Sequence, residues 1–306
     1  MQSIALCGRF IARAFATGIH SEFQLKQRST AREPYHLVTG SYGFSKSLSK
    51  PQAFNKWTFG DDAFFIAKDK SADVIGVADG VGGWRNYGID PSAFPHALMK
   101  TCERMVKEGR IHPRSPANII EASYDELLEQ KIPLLGSSTA CIVSLYREEQ
   151  TIYTANLGDS GFLVVRSDEV VHRSQEQQHY FNTPYQLAVA PPQQEGLILS
   201  DSPDMADSTS FRVEEGDIIL LGTDGLFDNV NEDMLLDYIS KLKDHREENV
   251  QKTARNIAEK AQQLSFDPDY LSPFALSAID SGIDIRGGKP DDITVVLAGV
   301  TSLPDI

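Results

Sequence analysis

The chain predicts an α+β fold, antiparallel sheets with helices packed against them, on three observations. Short β-rich runs recur between residues 63 and 297. Several of them follow one another at hairpin distance. The helical-period segments come in pairs instead of alternating strictly with strands. A doubly wound parallel sheet would repeat strand, helix, strand, helix, and this order does not.

In order, the strand runs are residues 63–67 (AFFIA), 74–79 (VIGVAD), 139–145 (TACIVSL), 152–156 (IYTAN), 162–165 (FLVV), 218–221 (IILL) and 293–297 (ITVVL). A helix is predicted over 92–107, where Phe94, Leu98, Cys102 and Met105 recur at helical spacing behind Asp90-Pro91, a cap and a first-turn proline. Further helices are predicted over 119–128, 233–242 and 247–264. Residues 175–208 are rich in Gln, Pro, Ser and Asp, with Pro184, Pro191, Pro192 and Pro203, and read as a long loop or binding flap. Its His179, Tyr180, Phe181 and Tyr185 could recognise a substrate or pin the flap to the body.

The first 33 residues differ. They carry Arg9, Arg13, Lys26, Arg28 and Arg32 against Glu22 and Glu33. On a helical wheel Ile4, Cys7, Ile11, Ala14 and Phe15 share one face, opposite Arg9 and Arg13. An Arg-bearing, acid-poor amphipathic segment leading into Ser/Thr-containing sequence has the composition of a mitochondrial transit peptide, here residues 1–33, which places the protein in the matrix. Arg9 and Arg13 interrupt the apolar core a secretory signal needs. A short N-terminal helix without a targeting role is the plainer alternative. Residues 40–301 then form one domain.

A net charge of -14 argues against a broad nucleic-acid-binding face. No apolar run approaches the roughly 18–20 residues that span a bilayer. Cys7, Cys102 and Cys141 are few and widely spaced, which fits neither a disulfide framework nor a zinc site.

Chemistry points to aspartates at strand ends: Gly60-Asp61-Asp62 before AFFIA, Asp79-Gly80 after VIGVA, Asp224-Gly225 and Asp228 after IILL, and Asp291-Asp292 before ITVVL. Asp159, in ANLGDSGF, adds a weaker motif. Hard oxygen donors without His or Cys select Mg²⁺ or Mn²⁺. Two such ions can share an aspartate and a water, lower the pKa of that water and polarise a phosphoryl oxygen. Glycine after aspartate permits a tight turn and leaves its carbonyl free as a further ligand. Each Asp-Gly alone is equally a hairpin turn, and spacing does not show that the motifs meet.

The ordered set GDDAFF, VADGVGGW, GSSTACIV, ANLGDSGF, TDGLFD and KPDDITVVL resembles the protein phosphatase 2C family of metal-dependent Ser/Thr phosphatases, over residues 55–300, and DGVGGW and GGKPDDIT resemble its mitochondrial branch. The resemblance implies a four-layer α-β-β-α sandwich. It implies a phosphatase acting on phosphorylated protein substrates, as a monomer, through a metal-bridging water and two Mg²⁺ or Mn²⁺ ions. Asp79 would bridge both ions; Asp224 and Asp291 would complete one site, Asp61 and the Gly80 carbonyl the other. Asp159, Asp224 and Asp228 match residues that hold a weaker third ion. Asp79, Asp61 and Asp224 would be catalytic, Asp62 and Asp292 would orient ligands or their waters, and residues 137–140 would be structural.

Two features depart from the family. Val81 stands where many members carry a histidine that protonates the leaving group, and Trp57 where many carry a phosphate-clamping arginine. General acid catalysis contributes about 10²–10⁴-fold, so turnover is slow or another donor serves. Arg85 is placed to meet phosphate or to be a solvated surface arginine; Gly82, Gly83 and Trp84 read as a turn and a core anchor. A binding protein without turnover and a hydrolase of small phosphoesters remain the alternatives.

Overall fold

Most strands have both faces covered, which is why the apolar runs are continuous instead of alternating. The computed structural model describes residues 34–46, 58–110, 112–130, 133–191, 196 and 198–302, and the expectations on residues 1–33 and on Trp57 lie outside them. Residues from Tyr35 onward form one unit.

The strands of the first part are β1 (His36–Phe44), β2 (Thr58–Phe59), β3 (Asp62–Lys68) and β4 (Ala72–Ala78). Then come β5 (Gly136–Ser138), β6 (Ala140–Tyr146), β7 (Thr151–Leu157), β8 (Gly161–Arg166) and β9 (Glu169–Arg173). The last are β10 (Gln178–Tyr180), β11 (Thr183–Pro184), β12 (Leu187–Val189), β13 (Asp207–Arg212), β14 (Ile218–Gly222) and β15 (Ile293–Thr301). The α-helices are α1 (Ala93–Lys107), α2 (Pro116–Leu128), α3 (Asp224–Phe227), α4 (Glu232–Ser240), α5 (Glu247–Ser265) and α6 (Pro273–Asp280).

Among the described residues two large antiparallel sheets form, in the orders β1-β15-β14-β8-β9 and β13-β7-β6-β4-β3-β2. Phe64, Ile75, Val77, Cys141 and Val143 of one sheet meet Phe162, Val164, Ile219, Leu221 and Val296 of the other in a shared core. The outer face of the six-stranded sheet carries α1 and α2 through Phe94, Leu98, Cys102, Ile119 and Leu127. The outer face of the five-stranded sheet carries α4 and α5 through Leu235, Ile239, Val250, Ala254, Ile257 and Ala261. The result is the expected α-β-β-α sandwich. Gly40 sets how closely α5 lies on β1, because a Cβ there would stand 2.5 Å from the Gln251 Cα.

Several elements differ from expectation. β1 begins at His36, ahead of the residue-40 boundary, and pairs with β15 over its whole length. Its HLVTGSYGF sequence mixes polar residues and glycine, so tertiary pairing, not propensity, makes it a strand. The 175–208 stretch is not one long loop: β10 pairs β11, and the buried Leu187-Ala188-Val189 triplet of β12 pairs β5. α1 starts at Ala93, with Ser92 as its cap; Asp90 instead accepts the Ser92 N–H (3.0 Å) and hydroxyl (2.8 Å). Polar β9 and β13 escape a hydrophobicity-based reading because they are sheet edges with exposed alternate residues.

Candidate metal centre

The aspartate motifs lie where the two sheets present strand ends to each other. Asp61 occupies the turn between β2 and β3, and Asp79 follows β4. Asp224 opens α3 directly after β14, with Asp228 one helical turn on, and Asp291-Asp292 precede β15. Asp159 sits in the turn between β7 and β8.

Electrostatics shows that these groups converge. Burial pushes the Asp79 carboxyl well up, and the charges of Asp224, Asp62 and Asp291 push it further. Asp79 and Asp224 lie close enough to shift one another. Burial would also raise Asp224, but Lys289 and the contact with Asp79 outweigh it and hold Asp224 low. Burial raises Asp159, and Asp224 and Asp228 add to the effect. Asp61 Oδ2, Asp62 Oδ1, Asp159 Oδ1 and Asp224 Oδ1 are buried and accept no hydrogen bond. Carboxylate oxygens left so in a protein interior are costly, and a bound cation is what would offset that cost.

Ammonium groups reach into this cluster. Lys46 Nζ lies 2.9 Å from Asp291 Oδ1, 3.3 Å from Asp292 Oδ2 and 3.4 Å from Asp61 Oδ2. Lys289 Nζ bonds Asp224 Oδ2, stands 2.7 Å from Asp228 Oδ2 and lies 3.6 Å from Asp291 Oδ2. Burial would lower the pKa of both lysines, but the aspartates beside them raise it, so both stay charged. As these side chains stand, no three described His, Cys, Asp or Glu residues are arranged to hold an ion. The donor set nevertheless fits hard divalent cations, since it is all oxygen and holds buried carboxylate atoms that accept no hydrogen bond. Ion uptake requires the ammonium groups to yield where they meet the same oxygens.

The supporting contacts are specific. Asp62 Oδ2 accepts the hydroxyls of Thr223 (2.7 Å) and Thr294 (2.8 Å), tying β3 to the start of α3 and to β15. Asp292 accepts the N–H of Asp61 (3.0 Å) and of Lys46 (2.7 Å). Gly60 is required by this packing: its φ is +73° and a Cβ would fall 1.9 Å from Asp292 Oδ1. The Asp79 N–H donates to Thr139 Oγ1 (3.0 Å), and Thr139 Oγ1 meets Ser160 Oγ (2.7 Å), so three motifs brace one another. The Gly80 backbone bridges to Ser138, and its missing Cβ admits the Pro91 and Asp61 carbonyls.

Around the rim, Arg85 Nη2 donates to Asp61 Oδ1 at 2.6 Å while half its side chain stays exposed. Trp84 is buried and donates to Ser137 Oγ (2.7 Å), so it is a core anchor as expected. His179 pairs with Asp201 (3.0 Å) and stacks on Tyr185, and Phe181 packs on Phe274, so these rings pin the hairpin; Tyr180 remains exposed. A cleft of about 620 Å³ opens beside Asp159 and Glu176 and runs past Phe227 and Leu276. Sequence reasoning missed Lys46, Thr223, Asn229, Lys289 and Thr294. Lys289 and Thr294 lay within the quoted GGKPDDIT motif; Lys46 carried no signal.

The family model for Stage II sporulation protein E (SpoIIE) matches residues 74–301. The chain is 57% identical over 305 residues to the Protein phosphatase PTC7 homolog of Homo sapiens and to that of Xenopus laevis, covering all of both chains in each case. The Drosophila melanogaster Protein phosphatase PTC7 homolog fig is 45% identical, over 89% of this chain and 86% of its own. Among solved structures, the photosystem II phosphatase PBCP superposes with a TM-score of 0.74 at 27% identity, over 88% of this chain and 100% of that one. The catalytic domain of the serine/threonine phosphatase PstP, in complex with two manganese ions, shares the fold: TM-score 0.52, 14% identity, 87% and 99% covered.

Proposed function

The chain belongs to the SpoIIE/PP2C-type protein phosphatases, and from that premise we propose that its aspartate cluster works with two Mg²⁺ or Mn²⁺ ions on mitochondrial phosphoproteins. It is a metal-dependent protein serine/threonine phosphatase. The observation that carries the site assignment is the convergence of Asp61, Asp79, Asp224 and Asp291 with buried carboxylate oxygens that accept no hydrogen bond.

Asp79, central among the acids, would be shared between the ions; Asp224 and Asp291 would hold one, and Asp61 with the Gly80 carbonyl the other. When bound, the ions supply a water of lowered pKa and offset charge on the phosphoryl group. The chain's own residues do the positioning. Thr223 and Thr294 fix Asp62 behind the cluster, and Asp292 fixes the Asp61 turn through its N–H. Arg85 and Lys46 would face the phosphate at the rim, in the role that Trp57 leaves open. Gly82 lies beside both: a Cβ there would stand at ordinary contact distance, 3.4 Å from Arg85 Nη1 and 3.7 Å from Lys46 Nζ. Val81 has no proton to give, so the leaving alkoxide takes one from water.

The test is hydrolysis of a phosphothreonine peptide by the full chain with Mn²⁺, with EDTA, and as Asp79→Asn. We expect chelation and the substitution each to lower kcat/KM by about 10³-fold or more, given several kcal/mol of charge stabilisation from the ions. Full activity in EDTA would sink the reading, and tight phosphopeptide binding without turnover in any metal would favour a binding protein. Matrix residence is supported by the Arg-bearing, acid-poor segment ahead of the body. Import by isolated mitochondria should fail for Arg9→Glu/Arg13→Glu, and its persistence would refute that proposal.

A further inference from the structure

Three carboxylates surround one edge of the cluster. Asp224 and Asp228 are four residues apart across the single turn of α3, so both point the same way. Asp159 faces them from the turn between β7 and β8. These are the residues that resemblance gives to a weaker third divalent ion, yet Lys289 already stands there, on Asp224 and 2.7 Å from Asp228.

Lys289 is not a swinging surface lysine. Its N–H donates to Asn229 Oδ1 (2.8 Å) and its carbonyl accepts from Asn229 Nδ2 (2.9 Å), so one fully buried asparagine clamps its backbone. Its ammonium lies 5.0 Å from the centre of the Phe274 ring, and the side chain is 14% exposed. Lys46 differs: its side chain is 31% exposed and it meets Asp291 Oδ1 and Asp61 Oδ2, whereas Lys289 is held on Asp224 Oδ2 and Asp228 Oδ2 and only approaches Asp291 Oδ2, at 3.6 Å. A divalent ion needs carboxylate oxygens at about 2.0–2.6 Å. It cannot take the same oxygens of Asp224 and Asp228 while an ammonium holds them, and two cations that close repel strongly.

We propose that Lys289 is a built-in third cation: its ammonium fills the Asp224–Asp228 edge, so the chain takes up two divalent ions and excludes a third. The proposal rests on the two-ion reading above. It gives Lys289 a positioning role, presenting Asp224 toward Asp79 with its outer oxygen neutralised and Asp224 Oδ1 left open.

The test is a count of ions by equilibrium dialysis against increasing Mn²⁺, followed by metal analysis of the full chain, with folding checked by circular dichroism. Wild type should saturate at two. Lys289→Met keeps an unbranched side chain, removes the charge and should saturate at three, the last weakly held; Lys289→Met/Asp228→Asn should return to two. Lys289→Gln serves should the methionine variant not fold. Three ions on wild type, or two on a folded Lys289→Met chain, would overturn the proposal. Fewer than two on wild type would take down the two-ion reading and this proposal with it, and the count itself tells the cases apart.

Discussion

Asn229→Ala offers the sharpest test of how the site is held. Asn229 is fully buried and makes three hydrogen bonds: to the Gly225 carbonyl (3.0 Å), to the Lys289 carbonyl (2.9 Å) and from the Lys289 N–H (2.8 Å). They join α3, which carries Asp224 and Asp228, to the loop that carries Lys289 and Asp291. A typical intramolecular hydrogen bond contributes about 1 kcal/mol net, and a buried partner left unmet costs at least as much. Alanine should therefore destabilise the chain by about 3 kcal/mol. At ~2–4 °C per kcal/mol for a domain of this size, Tm should fall by roughly 6–12 °C. The assay is equilibrium urea unfolding in EDTA, so that ion binding does not add its own stabilisation. Apparent Mn²⁺ affinity should fall in parallel, because the acids on the two segments lose their common frame. A loss under about 1 kcal/mol would show that water or a small loop shift replaces the bonds, and the clamp would not be what holds the two halves in register.

Gly60→Ala should lower stability by at least ~1–2 kcal/mol from its left-handed backbone alone, and activity further, because the new methyl displaces Asp292 from beneath Asp61; unchanged melting and turnover would refute this. Arg85→Ala should raise KM for a phosphopeptide by about 10-fold or more, with a smaller change in kcat, and should raise the Ki of inorganic phosphate; hydrogen bonds to charged groups contribute about 1.5–3 kcal/mol. With Val81 in place of a proton donor, kcat should rise as the leaving-group pKa falls, and a flat dependence across phenyl phosphates would reveal another donor. The Asp228 carboxyl is pushed up to about 7 by burial, with Lys289 opposing and Asp224 adding. An acid that keeps its proton longer when folded favours the fold at low pH, and that contribution is lost as pH rises from about 4 to about 7. The Tm of the metal-free chain should therefore drop across that window, and less steeply for Asp228→Asn; parallel curves would rule the assignment out.

The sheets were legible because their strands are buried on both faces: β4 buries all seven residues and β15 all nine, leaving unbroken apolar runs. β1 was not legible, since its strand character comes from lying against β15 and beneath α5. The short α3 was hidden as well, because Asp224-Gly225 reads equally as a turn. At the site, the aspartates announced themselves by standing in short motifs beside apolar runs. The groups that hold them, Thr223, Thr294, Asn229 and the lysines, are single polar residues that become meaningful only when segments as far as 246 positions apart meet.

β15 is the last strand among the described residues yet lies between β1, the first of them, and β14. The pairing of β1 in the five-stranded sheet therefore waits until Ile293–Thr301 have been made. Asp291 and Asp292 arrive in that same closing step. A chain shortened before residue 291 would lose the strand that joins β1 to β14 and, with it, Asp291 and Asp292.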